Sequence, residues 1–280
     1  MSAAFLRRHG SAMLLAPAVV LLAVFFVWPV TELVGLSFQN PEGPLHNYER
    51  IFSRPAYMLV LQRTLLTSAI TVAICAVIAY PVAYRLCTAP PWQKLLILAL
   101  ILVPFWTNLL VLCYGWLILL GPQGAVNSAL MGARLISEPL ALVGNMTGVI
   151  IGMVQTMLPY MVLPIAAAMS RIDPRIQQAA RSLGAPPLQV FLKAYLPLTL
   201  PGVIAGCLLV FIMSIGFFVI PAILGGVRDI FIAQMIEINI NASLNWGFAA
   251  ALSTLVLVVT MLLYAVGVRW LGVDTLWGRT

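Results

Sequence analysis

The sequence predicts an all-α integral membrane fold, a bundle of six transmembrane helices, on three observations. Of the 280 residues, 62% are hydrophobic and only 8% are charged, against roughly 25% charged in a soluble domain. The mean hydropathy is +1.04. Apolar stretches of about 20 residues, each long enough to cross roughly 30 Å of hydrocarbon, recur almost from end to end.

Backbone polar groups find no water in hydrocarbon, so each crossing must close its hydrogen bonds internally, as a helix does. The stretches are residues 13–38, 64–84, 95–120, 141–168, 202–223 and 248–268. They leave no room for a second domain, and residues 1–280 read as a single membrane domain. Pro29, Pro81, Pro104, Pro159 and Pro164 fall within or near these spans and can kink them, either for gating or as plain packing features.

The net charge of +7 is spread over loops and termini rather than gathered on one face, which argues against nucleic acid and for membrane orientation. With the N-terminus in the cytoplasm, the inner segments hold ten basic residues, Arg7, Arg8, Arg85, Lys94, Arg171, Arg175, Arg181, Lys193, Arg269 and Arg279. The outer segments hold five, Arg50, Arg54, Arg63, Arg134 and Arg228. The positive-inside rule therefore predicts that both termini are cytoplasmic. Arg7-Arg8-His9 before an apolar run resembles a signal peptide, but the run exceeds the roughly 7–15 residues of a signal's apolar region and reads as an uncleaved span.

The outer segments are then residues 39–63, 121–140 and 225–247, with Trp28, Trp116, Trp246 and Tyr57 near their edges as an aromatic belt. All three face a periplasmic partner on this reading. The last is the least hydrophobic, and its composition allows a short interfacial helix. Within the spans Glu32 is the one charged residue, near the outer end of span one. It either reaches interfacial water or lines a solute path.

Several chemistries are excluded. Cys75, Cys87, Cys113 and Cys207 show no C-x-x-C spacing and no nearby histidine, so they read as packing residues rather than disulfide or metal ligands. His9 and His46 lie outside the spans, and no H-E-x-x-H, G-x-S-x-G or G-x-x-x-x-G-K-[ST] motif occurs. An intramembrane enzyme lacks its nucleophile or metal. An ion-coupled secondary transporter, which needs coupling-ion ligands at mid-membrane and often shows inverted repeats with broken helices, stays the less favoured alternative, since neither feature stands out.

The inner loop between spans four and five, residues 171–199, is different in kind. Asp173 reads as an N-cap, Pro174 as the first helical residue, and Gly184 before Pro186-Pro187 as a stop, giving a helix of about ten residues. Ile176, Ala179, Ala180 and Leu183 recur at helical spacing as a small apolar face. Such a helix suits a partner's groove or the inner leaflet, and the small face favours the groove.

The same loop carries a specific resemblance. Gln178-Ala-Ala-Arg-Ser-Leu-Gly184, nine residues, Ala194, one residue and Leu196-Pro197 resembles the EAA loop, E-A-A-x3-G-x9-I-x-L-P, of permeases in binding-protein-dependent ABC importers. Gln178 stands for the usual Glu and Ala194 for the usual Ile. The resemblance implies the type I ABC importer permease fold. It also implies a coupling helix that docks on an ATP-binding subunit through Gln178, Ala179, Ala180, Arg181, Leu183 and Gly184, with Leu196-Pro197 leading into the next span. It further implies a pair of ATP-binding subunits that hold ATP and Mg, a second homologous permease, an external solute-binding protein and the bacterial inner membrane. On that reading the chain is no enzyme and has no cofactor of its own.

Asn47-Tyr48-x3-Phe52, residues 79–84 (AYPVAY), residues 157–164 (MLPYMVLP) and residues 211–226 are similar to the spermidine/putrescine branch. Branches for opines, phosphonates, iron and thiamine share parts of this pattern. A polyamine path needs carboxylates or aromatic faces. Phe217 and Phe218 either offer such faces or pack the core.

Overall fold

The structure, a computed structural model, describes residues 15–271. Arg7, Arg8, His9, Arg279 and the first two residues of the predicted first span lie outside the described residues. The helices are α1 (Leu15–Ser37), α2 (His46–Ser53), α3 (Pro55–Thr88), α4 (Pro91–Trp106), α5 (Leu109–Leu120) and α6 (Ala125–Gly132). They continue as α7 (Met146–Ser170), α8 (Pro174–Ser182), α9 (Pro187–Ile215), α10 (Val219–Leu224), α11 (Ile232–Asn241) and α12 (Trp246–Leu271). Among the described residues, six helical stretches are long and apolar enough to cross a membrane.

Two predicted spans are broken. Residues 95–120 form two helices, because Pro104 removes a backbone donor near the end of α4 and Asn108 caps α5, its side chain accepting from Leu110 N at 2.9 Å. Residues 202–223 break at Gly216 between α9 and α10. Span four begins at Met146 rather than at residue 141, because Asn145 Oδ1 accepts from Thr147 N at 2.9 Å and so fixes the start. The least hydrophobic outer segment does contain a helix, α11.

The chain divides into two compact units, one from the described part of Met1–Met58 with Ile236–Val258, the other from Leu59–Met235 with the described part of Val259–Thr280. In the first, buried Asn47 ties a turn together: its Nδ2 donates to Ser37 O at 3.0 Å and its Oδ1 accepts from Asn40 Nδ2 at 2.8 Å. Fully buried Phe248 lies under the Arg50 guanidinium, 4.6 Å from ring centroid to Cζ.

The second unit is built around α7. Thr67 Oγ1 meets Met146 Sδ, Cys75 Sγ meets Val154 O and Cys87 Sγ meets Ala166 O, each pair 79 residues apart. A constant separation means that α3 and α7 run in the same direction. The most extensive helix pair, α7 with α9, is antiparallel: Gly202 faces Pro164 and Ala168, while Gly206 faces Met161. A Cβ on Gly202 would stand 2.5 Å from Ala168 Cβ, so only glycine permits this approach. Small residues four apart bring membrane helices close enough for dispersion contacts over the whole seam. Met157, Met161, Val162, Ile165 and Val210 fill the resulting core.

Candidate functional site

The loop between α7 and α9 folds from its own local signals. Asp173 Oδ1 accepts from Arg175 N at 2.8 Å, and Pro174 opens α8 with its φ preset. At the other end Gly184 has φ +81°, a left-handed conformation. Its N–H donates to Arg181 O at 2.9 Å, and Ala185 N–H donates to Ala180 O at 3.2 Å. This pair of bonds is a Schellman cap, which satisfies carbonyls the helix end would orphan. The rigid unit is nine residues long.

Its faces differ. Gln178, Ala179, Arg181 and Gly184 are exposed, Ala180 is half-buried, and Leu183 is 89% exposed. Ile176 and Leu188 are also exposed. An apolar ridge thus points away from the chain that carries it. Such a ridge, on a helix too short to persist unaided in water, suits a groove on another protein.

Beyond Gly184, residues 190–195 form a π-helical turn ahead of Leu196-Pro197. Pro197 has no N–H to give to the Lys193 carbonyl, and the wider turn absorbs that loss. It presents an aromatic cluster that the sequence reading did not assign to the site. The Tyr195 ring meets Tyr84 edge-on at 5.7 Å, Phe191 meets Tyr80 edge-on at 5.9 Å, and the Tyr80 hydroxyl is 3.0 Å from Thr199 Oγ1. Two pairs of aromatics four residues apart, 80/84 and 191/195, were the signal available. The cluster joins the exit of the loop to α3. Beside it, a cavity of about 720 Å³ is bordered by Tyr84, Lys94, Pro174, Gln177 and Tyr195.

The residues predicted for a solute path are placed separately. Glu32 is exposed and lines a groove of about 480 Å³ with Trp28 and Trp246 in the first unit. Phe217 lines a cavity of about 290 Å³ in the second unit, together with Phe105, Thr107, Gln155 and Tyr160. Phe218 is partly exposed and precedes α10. Trp116 Nε1 donates to Gln155 Oε1 at 2.7 Å, and the Phe105 and Tyr160 rings meet edge-on at 5.3 Å.

With this geometry in hand, comparisons with known proteins are specific. Residues 88–272 match the family described as the binding-protein-dependent transport system inner membrane component. The spermidine/putrescine transport system permease protein PotB of Haemophilus influenzae is 36% identical over 255 residues, covering 88% of this chain and 89% of that protein. PotB of Escherichia coli is 36% identical over 251 residues, covering 86% of this chain and 91% of its own length. Among solved structures, a chain of the bacterial alginate ABC transporter, crystallised with an alginate pentasaccharide-bound periplasmic protein, has a TM-score of 0.74 at 14% identity and covers 94% of both chains. A chain of the inward-facing MetNI methionine ABC transporter has a TM-score of 0.60 at 18% identity, covering 76% of this chain and 94% of that one. At these identities the structures speak to the fold, which is that of a type I ABC permease. The chain belongs to the family of inner membrane components of binding-protein-dependent transport systems, and is a multi-pass transport subunit rather than an enzyme.

Proposed function

We propose that this chain is the permease subunit of an ATP-driven importer that passes a polyamine, such as spermidine or putrescine, into the cytoplasm. The observation that carries the reading is the 36% identity to PotB permeases along nearly the whole chain.

In this proposal α8 is the coupling helix. Gln178, Ala179, Ala180, Arg181, Leu183 and Gly184 present the face that an ATP-binding subunit receives, and Leu196-Pro197 pass its movement into α9. The exposed Leu183 and the capped ends support this, since a rigid helix transmits a docked partner's displacement as rigid-body rocking. A pair of ATP-binding subunits holds ATP and Mg, so this chain has no cofactor of its own. A second, homologous permease and an external solute-binding protein complete the assembly. Residues 1–280 act as one permease domain. Both termini face the cytoplasm, as the ten-to-five division of basic residues supports. Glu32, Phe217 and Phe218 contribute a carboxylate and ring faces to the solute path.

The test is uptake into proteoliposomes containing this chain with its partner permease and ATPase, supplied with loaded binding protein. ATP-dependent accumulation of labelled spermidine or putrescine is expected. Accumulation of polyamine that follows a proton or sodium gradient and ignores ATP would overturn the reading.

A further inference from the structure

The break between α4 and α5 and the break between α9 and α10 border the same cavity of about 290 Å³, because Pro104, Phe105 and Thr107 line it from one side and Met213 and Phe217 from another. The C-terminus of a helix carries roughly half a negative charge on its unpaired carbonyls. At each break, however, the C-terminus of one helix (α4 at Trp106, α9 at Ile215) meets the half-positive N-terminus of the next (α5 at Leu109, α10 at Val219), so helix dipoles leave this space with no net sign. A preference for cations comes instead from the rings of Phe105, Tyr160 and Phe217, which line the space and carry negative π-density. Gln155 Oε1, held by Trp116 Nε1 at 2.7 Å, keeps a second lone pair to offer. Among the described residues, no charged side chain lines the cavity.

We propose that this cavity is a subsite for an alkylammonium group of the solute, held by the rings of Phe105, Tyr160 and Phe217 and by Gln155 Oε1. It answers a difficulty in the chemistry of a polyamine path, which is how a polycation can be stabilised where carboxylates are scarce. Aromatic rings and an amide oxygen offset part of the lost hydration without forming a deep ion pair, and a transport site must bind weakly enough to release. The inference rests on the polyamine reading above, and its test separates the two.

The complete transporter would be reconstituted with Tyr160→Leu, Phe217→Leu and Tyr160→Phe. Uptake and binding-protein-stimulated ATPase activity would be measured side by side. Loss of one ring face is expected to lower polyamine uptake about tenfold, the scale of a desolvated cation–π contact. ATPase stimulation should persist, and Tyr160→Phe, which keeps the ring, should restore uptake. In parallel, a diazirine-bearing spermine would be photolysed on the wild-type transporter and the labelled peptides identified, a measurement that does not depend on any variant folding. Label on residues 104–112, 155–160 or 213–217 supports the subsite, and label confined to other segments overturns it. Wild-type polyamine uptake with ring variants unchanged sinks the subsite and leaves the polyamine reading intact. Uptake of a different organic cation that depends on the three rings, with none of polyamine, sinks the polyamine reading and leaves the subsite. Transport of no cation at all sinks both.

Discussion

Gly184 donates its N–H to the Arg181 carbonyl at 2.9 Å while holding φ at +81°, and the two facts are one device. The left-handed turn lets the chain leave α8 with its last carbonyls satisfied. A Cβ at this position would meet nothing within 4 Å, so the requirement for glycine is conformational rather than steric. Gly184→Asn should then preserve the cap, Gly184→Ala should weaken it by about 1–2 kcal/mol, and Gly184→Val should weaken it most. The expected order of transport activity at equal membrane abundance is Asn, then Ala, then Val. Equal activity for all three would show that the turn plays no part in coupling.

Leu183, one residue earlier, has the opposite character. At 89% exposed it contributes little to this chain's own stability, and Leu183→Asp should change thermal unfolding in detergent by no more than about 0.5 kcal/mol. A charge in the middle of a desolvated contact is costly, however. The variant should enter the membrane normally and fail to co-purify with the ATP-binding subunit. Undiminished co-purification would place the docking face elsewhere on the loop.

How much of this was legible in the sequence depends on the scale of the signal. The helical class follows from hydropathy over long windows, and the ends of α8 follow from Asp173, Pro174 and Gly184, whose roles are local. The breaks in the third and fifth stretches were not read, because 16- and 12-residue apolar helices joined end to end look like one span when only hydropathy is counted. Asn108, an N-capping residue four positions after Pro104, was the available clue. The aromatic cluster at the loop exit and the Gly202/Gly206 seam needed the fold, since each depends on α9 meeting a partner distant in sequence. Phe217 was picked out for its type, and the structure supplies its neighbours.

At that seam the two glycines are not equivalent. A Cβ on Gly202 would stand 2.5 Å from Ala168 Cβ and 2.8 Å from the Pro164 carbonyl oxygen, neither of which moves without the helix. A Cβ on Gly206 would first meet Met161 Sδ at 2.8 Å, part of a flexible side chain. Gly202→Ala should therefore destabilise by about 1–3 kcal/mol, the usual cost of overpacking, and Gly206→Ala by less. Thermal unfolding of the two variants in detergent gives the order directly. A larger loss at Gly206 would mean that α7 and α9 pack differently.

Thr64 offers a test of how α11 is held. Its Oγ1, fully buried, donates to Val60 O at 2.9 Å and accepts from Ile232 N–H at 3.1 Å, so one hydroxyl serves both its own helix and the start of a helix 168 residues away. Thr64→Val keeps the shape and removes the acceptor, leaving the Ile232 N–H buried without its partner at a cost of about 1–3 kcal/mol. Thr64→Ser keeps the hydroxyl and loses one methyl, about 1 kcal/mol. If the bond matters more than the volume, hydrogen exchange at the Ile232 amide should quicken markedly in the valine variant and only slightly in the serine variant. The reverse order would show that the methyl's packing, rather than the hydrogen bond, fixes the start of α11. The bond also explains why a threonine sits there at all, since a helix start buried away from water must take an acceptor from a neighbouring helix for its first donors.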